Sequence, residues 1–139
     1  MKTVVRNVVA FLLGIIAGTC VNMAMVTLGP LLIPPPAGVN MSDAASLSSS
    51  IHLLEPRHFL FPFLAHALGT FAGAIVAFLI AGSRRSVMAL AVGAFFLLGG
   101  IAASTMIRAP MWFIGVDLLL AYLPPAWLGG RVASRFVRS

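Results

Sequence analysis

Charge is what this sequence has least of. Only 9% of its 139 residues are charged, and only three are acidic: Asp43, Glu55 and Asp117. Soluble domains carry about a quarter charged residues, so a water-facing globular surface is excluded. Cysteine is almost missing as well. Cys20 stands alone in an apolar run, which rules out an intrachain disulfide and any cysteine-based zinc site. No metal-ligand spacing such as HExxH occurs, and neither metal nor other cofactor is expected.

What fills the chain instead is hydrocarbon: 60% of residues are hydrophobic, and the mean hydropathy is +1.06. The net charge of +6 comes from basic residues scattered at the ends of apolar runs. They form no basic face on a soluble module, which argues against nucleic acid as a partner and for the lipid bilayer. At this length a single membrane domain, 1–139, is expected.

Four stretches are long enough to cross roughly 30 Å of hydrocarbon at about 1.5 Å per residue. They run from about 8–28, 59–81, 87–107 and 111–129. Lipid offers the backbone no hydrogen-bond partners, so each must be a helix. The first resembles a signal peptide, with Lys2 and Arg6 before an apolar core, but that core continues to Leu28 and is too long for one. A retained helix is expected. The predicted fold is therefore an all-α, antiparallel four-helix membrane bundle.

Seven basic residues (Lys2, Arg6, Arg84, Arg85, Arg131, Arg135, Arg138) share one side in this scheme, against Arg57 and Arg108 on the other. The positive-inside rule then places both termini in the cytoplasm and residues 29–58 outside. Phe59, Phe61, Trp112 and Phe113 are expected at the outer interface and Trp127 at the inner one.

The outer loop begins with Pro34, Pro35 and Pro36, which favour a stiff extended start. Ser42 is positioned to cap a short helix with Asp43 in its first turn. Ala44, Leu47, Ile51 and Leu54 follow at near-helical spacing until Pro56. An amphipathic helix is expected, lying on the outer surface or folded over the bundle. Glu55, Arg57 and His58 would then cluster at the outer mouth, as an interfacial anchor or as a rim above a site.

Small residues recur inside the spans: Gly14 and Gly18, Gly69 and Gly73, Gly93 and Gly100, and Ala89 through Ala103. Such spacing lets helices approach closely, within the chain or between copies of it.

Polar residues are few and share one depth. Asn22 lies six residues from Leu28, His66 seven from Phe59 and Asp117 six from Met111. At about 1.5 Å per residue all three fall some 9–10 Å below the outer rim, with Ser104 and Thr105 nearby. Asn22 shares a stripe with Gly14 and Gly18, and His66 one with Thr70 and Gly73. A lipid-facing Asp is costly, so an inward-facing polar layer is expected. In the inner half of the fourth helix, Pro124 and Pro125 delete two amide donors, which predicts a kink just after Tyr122.

Asp117, His66, Asn22, Ser104 and Tyr122 are thus the candidate site residues for a ligand or a proton. The plainer alternative is that these groups bond one another and fix helix order. Met23, Met25, Met41, Met106 and Met111 gather on the outer side, and thioethers suit Cu(I). Met23 and Met25 lie about 200° apart on a helix, however, and do not chelate together. Apolar filler is the favoured reading of these methionines.

The segments "IPPPAGV", "HFLFPFLAHALGT", "FFLLGGI" and "DLLLAYLPPAWLGG" resemble those of small bacterial inner-membrane proteins with four helices and no assigned activity. The resemblance implies a bacterial cytoplasmic membrane and no particular chemistry. Three functions follow. The leading one is binding or transport of a small molecule, lipid or proton through an outward-facing polar cleft, with a homo-oligomer expected for transport. The second is an accessory subunit of a larger membrane complex. The third, a membrane enzyme built on His66, Asp117 and Ser104, has no local motif to fix its geometry.

Overall fold

The computed structural model describes residues 1–138, and these are helical with no strand among them. The helices are α1 (Lys2–Leu32), α2 (Ala44–Ser50), α3 (Leu60–Ile80), α4 (Arg85–Met106), α5 (Met111–Leu120) and α6 (Leu123–Arg138). Two short 3-10 turns, Ile51–Leu53 and Pro56–Phe59, lead from α2 into α3. Four segments are long and apolar enough to cross a membrane: Lys2–Leu32, Pro56–Ile80, Arg85–Met106 and Met111–Val137. The protein therefore has the architecture of a polytopic helical membrane protein.

The spans are longer at several ends than hydropathy alone indicates. Helix α1 runs through Pro30 to Leu32. Proline is tolerated there because the lost bond, to the carbonyl four residues back, falls in the final turn. The fourth crossing is broken as Pro124 and Pro125 predict, into α5 and α6. Both prolines sit in the first turn of α6, where their missing N–H groups have no helical acceptor in any case. Helix α6 then continues past 129 to Arg138.

Helix α3 is the centre of the bundle, with α1, α4 and α6 packed around it. Its contacts are made of small residues. A Cβ added to Gly14 would lie 2.8 Å from the Gly73 carbonyl oxygen, and one on Gly18 would lie 2.7 Å from that of Gly69. The two backbones thus touch. Buried Ala10 and Ala77 extend the same row. On the other side of α3, Ala74, Phe78, Ala89, Ala126 and Ala133 form the core shared with α4 and α6. Lipid provides no hydrophobic drive between helices, so close packing of small residues must supply the association. The glycine and alanine stripes meet within this one chain.

Large apolar side chains point outward along α1, among them Val5, Leu12, Ile16 and Met23. Met106 and Met111 are exposed too, whereas Met41 is tucked under the loop, so the methionines do not converge.

Polar bonds tie the two ends. At the end holding both termini, the Asn7 side chain accepts from the Gly82 N–H (2.9 Å) and the Ser83 N–H (3.2 Å) and donates to the Ser83 hydroxyl. The Arg6 Nε donates to the Ile80 carbonyl at 2.6 Å. Helix α1 thereby caps the α3–α4 turn. At the opposite end, Asp43 and not Ser42 caps α2: its Oδ2 accepts from the Ser46 N–H at 2.7 Å. The Ser42 N–H donates to Asn40 Oδ1 in a local turn just before the helix. Gly38, at φ 84°, closes the preceding turn from the Pro36 carbonyl to the Val39 N–H.

Candidate ligand-binding site

Beneath the 33–58 segment lies a cavity of about 210 Å³. Its roof comes from the loop, where Leu47, Ile51 and Leu54 of the expected amphipathic pattern turn inward while Ala44 stays exposed. Its walls are the ends of α1, α3, α4 and α5. The lining is mostly apolar, and among the described residues the polar side chains that reach it are those of His58, His66, Ser104 and Asp117.

His66 and Asp117 form its floor. The His66 Nδ1 lies 2.8 Å from Asp117 Oδ1. The Tyr122 hydroxyl donates to Asp117 Oδ2 at 3.0 Å, and the Tyr122 and His66 rings stack with centroids 5.6 Å apart. Asp117 and Tyr122 are buried, at 5% and 2% exposure, while the His66 side chain is 30% exposed. The broken fourth crossing explains this cluster. Ending α5 at Leu120 lets Tyr122 fold back beside Asp117, five residues earlier, in a way an unbroken helix does not permit. Gly100 makes the space, since a Cβ there would collide with the Tyr122 ring.

The carboxyl group is thus occupied on both oxygens by the protein. His66 Nε2 makes no hydrogen bond to any described residue, and its ring lines the cavity. It is the polar group best placed to meet a guest.

The remaining candidates fall elsewhere. Ser104 lines the cavity, but its hydroxyl donates to the Ile101 carbonyl at 2.7 Å and makes no bond to His66. A serine–histidine relay is therefore not assembled. Thr105 bonds back to Ala102 in the same fashion. Asn22 is not part of the floor. It packs at the α1–α3 contact, where a Cβ on Gly69 would lie 3.1 Å from its own Cβ. Its depth and its stripe with Gly14 and Gly18 are legible in the sequence; that this stripe meets α3 and not the cavity is not.

The rim also divides. Glu55 and Arg57 pair at 2.8 Å in the open, with 62% and 65% of their side chains exposed. His58 is buried at 5% exposure. Its Nδ1 accepts from the Glu55 N–H at 2.8 Å, so the proton resides on Nε2, which donates to the Pro34 carbonyl at 3.2 Å. His58 therefore pins the end of the loop to its beginning. Phe59 and Phe113, expected at the interface, pack against each other at 4.9 Å and wall the cavity, while Trp112 stays half exposed at the edge of Phe59.

Among the described residues, no group of three or more His, Cys, Asp or Glu is arranged to hold a metal ion. The site belongs to a class recognisable by geometry: a roofed apolar cavity between transmembrane-type helices with a polar floor. Compared with protein families, curated proteins and solved structures, the chain finds no match.

Proposed function

We propose that the chain is an integral protein of a bacterial inner membrane, with both termini in the cytoplasm and the roofed cavity facing outward. The seven-to-two distribution of basic residues supports the orientation. The resemblance to small four-helix inner-membrane proteins supports the location.

The cavity binds a small, largely apolar molecule that carries one hydrogen-bond donor, an ammonium or a hydroxyl. The observation behind this is the floor: an Asp117 carboxyl held by two partners, and beside it a histidine nitrogen left for a guest. Size sets the scale. A dry cavity of about 150 Å³ accommodates benzene, and this one is somewhat larger at about 210 Å³. Apolar walls supply affinity, and a donor to His66 Nε2 fixes orientation.

Benzylamine, toluene and benzoate serve as probes. A Trp127→Phe background leaves Trp112, at the edge of Phe59, as the single fluorescent reporter. Benzylamine is expected to give a saturable change that toluene gives more weakly and benzoate not at all. His66→Ala, which removes the acceptor, should weaken benzylamine by about tenfold or more, the worth of a hydrogen bond from a charged donor. Filling the cavity with Ala103→Phe or Ser104→Leu should abolish the response while the helical circular dichroism and the size-exclusion profile are retained. A response unchanged by both filling variants, or none from benzylamine, overturns the reading.

A further inference from the structure

A second groove, of about 410 Å³, lies at the opposite end of the bundle between the start of α4 and the middle of α6. Arg85 and Ser86 enter it from α4, and Arg131 and Ser134 from α6. Two guanidinium groups and two hydroxyls from separate helices thus line one depression. We propose that it binds the phosphate headgroup of an anionic phospholipid.

Charge is the first support. All three acidic side chains lie elsewhere: Asp43 and Glu55 are in the loop and Asp117 is under it. Neither Arg85 nor Arg131 makes an ion pair with a described carboxylate. Arg85 spends only its Nε, on the Ala81 carbonyl at 3.3 Å, and its terminal nitrogens make no hydrogen bond to a described residue. The Arg131 guanidinium rests over the Trp127 ring at 4.9 Å, which holds the charge in place without neutralising it.

The walls decide between a lipid and a free phosphate. Leu90, Trp127 and Val137 line the groove and remain 39%, 53% and 46% exposed. They continue outward as apolar surface, which suits the first carbons of an acyl chain. An exposed tryptophan beside an arginine is also the pairing found where a helix leaves the hydrocarbon.

The test is native mass spectrometry of the full chain from mild detergent, titrated with dioleoyl phosphatidylglycerol or dioleoyl phosphatidylcholine. Phosphatidylglycerol is expected to bind preferentially. Each arginine should contribute about fivefold, so Arg85→Gln with Arg131→Gln should cost on the order of 25-fold. Arg131→Gln alone, at an exposed position, keeps the test sound should the double variant fold poorly. Arg84→Gln with Arg135→Gln removes the same charge outside the groove and is expected to change binding less than about twofold. Equal losses in both double variants would reveal diffuse surface attraction and sink the proposal, as would the absence of any headgroup preference. Displacement of the lipid by millimolar glycerol phosphate would reassign the groove to a soluble anion.

Discussion

Replacing Tyr122 with phenylalanine removes one oxygen atom and tests the floor of the cavity directly. The ring stays, with its place against Gly100 and its stacking on His66. What disappears is the 3.0 Å bond to Asp117 Oδ2, on a residue only 5% exposed. Side-chain hydrogen bonds between membrane helices are worth about 0.6 kcal/mol on average, but a buried acceptor left without its donor costs about 1–3 kcal/mol. The expected destabilisation is therefore about 1–3 kcal/mol. It is readable as a shift in the unfolding midpoint when sodium dodecyl sulfate is titrated into dodecylmaltoside micelles.

A cycle strengthens the test. Asp117→Leu alone strands both Tyr122 and His66, whereas Asp117→Leu with Tyr122→Phe should recover part of the loss, with a coupling of about 1–2 kcal/mol. Tyr122→Phe within about 0.3 kcal/mol of the parent would refute the reasoning. It would mean that the hydroxyl does not hold the carboxyl group and that the clamp carries no energy.

Other perturbations have equally definite outcomes. Gly69→Ala forces a methyl 2.7 Å from the Gly18 carbonyl oxygen and should cost about 1–3 kcal/mol in the same unfolding assay. Gly99→Ala, with nothing within 4 Å, should be neutral or slightly stabilising. Asn7→Ala leaves the Gly82 and Ser83 amides to water and should cost about 0.5–1 kcal/mol, while Asn7→Asp, which keeps the acceptor, should recover most of it. His58→Ala cuts the loop loose from Pro34, and hydrogen exchange across residues 44–54 should quicken about tenfold while α3 and α4 stay protected.

The crossings were legible because lipid reduces the choice to helices and hydropathy marks their length. The break at Pro124 and Pro125 was legible because proline deletes donors wherever it stands. Less legible was anything that depends on direction around an irregular segment. Glu55, Arg57 and His58 are near neighbours in sequence, yet a 3-10 turn sends His58 inward and leaves the other two in the open. Asn7 has no signature in the sequence, and Asp43 reads as a first-turn residue and not the cap, because a cap is defined by the backbone it faces: a distant turn for one, and a helix start shifted by one residue for the other. His66 and Asp117 were found by depth, and their pairing required α3 and α5 to be adjacent. In the sequence Tyr122 stands out only for preceding the prolines. That it completes the clamp follows from the two residues between α5 and α6, a geometry that periodicity does not encode.

The row of small residues joining α1 to α3 has a further implication for how the chain finds its alignment. Gly14 faces both Gly73 and Ala77, Gly18 faces Gly69 one turn on, and buried Ala10 lies one turn before Gly14 on α1. A comb with evenly spaced teeth meshes nearly as well when slid by one tooth, here about 6 Å. Packing alone would thus admit neighbouring settings of similar quality. Arg6 and Asn7, gripping carbonyl and amides at a single turn, act as the peg that chooses among them, and a shift by one notch would pull that peg from its hole.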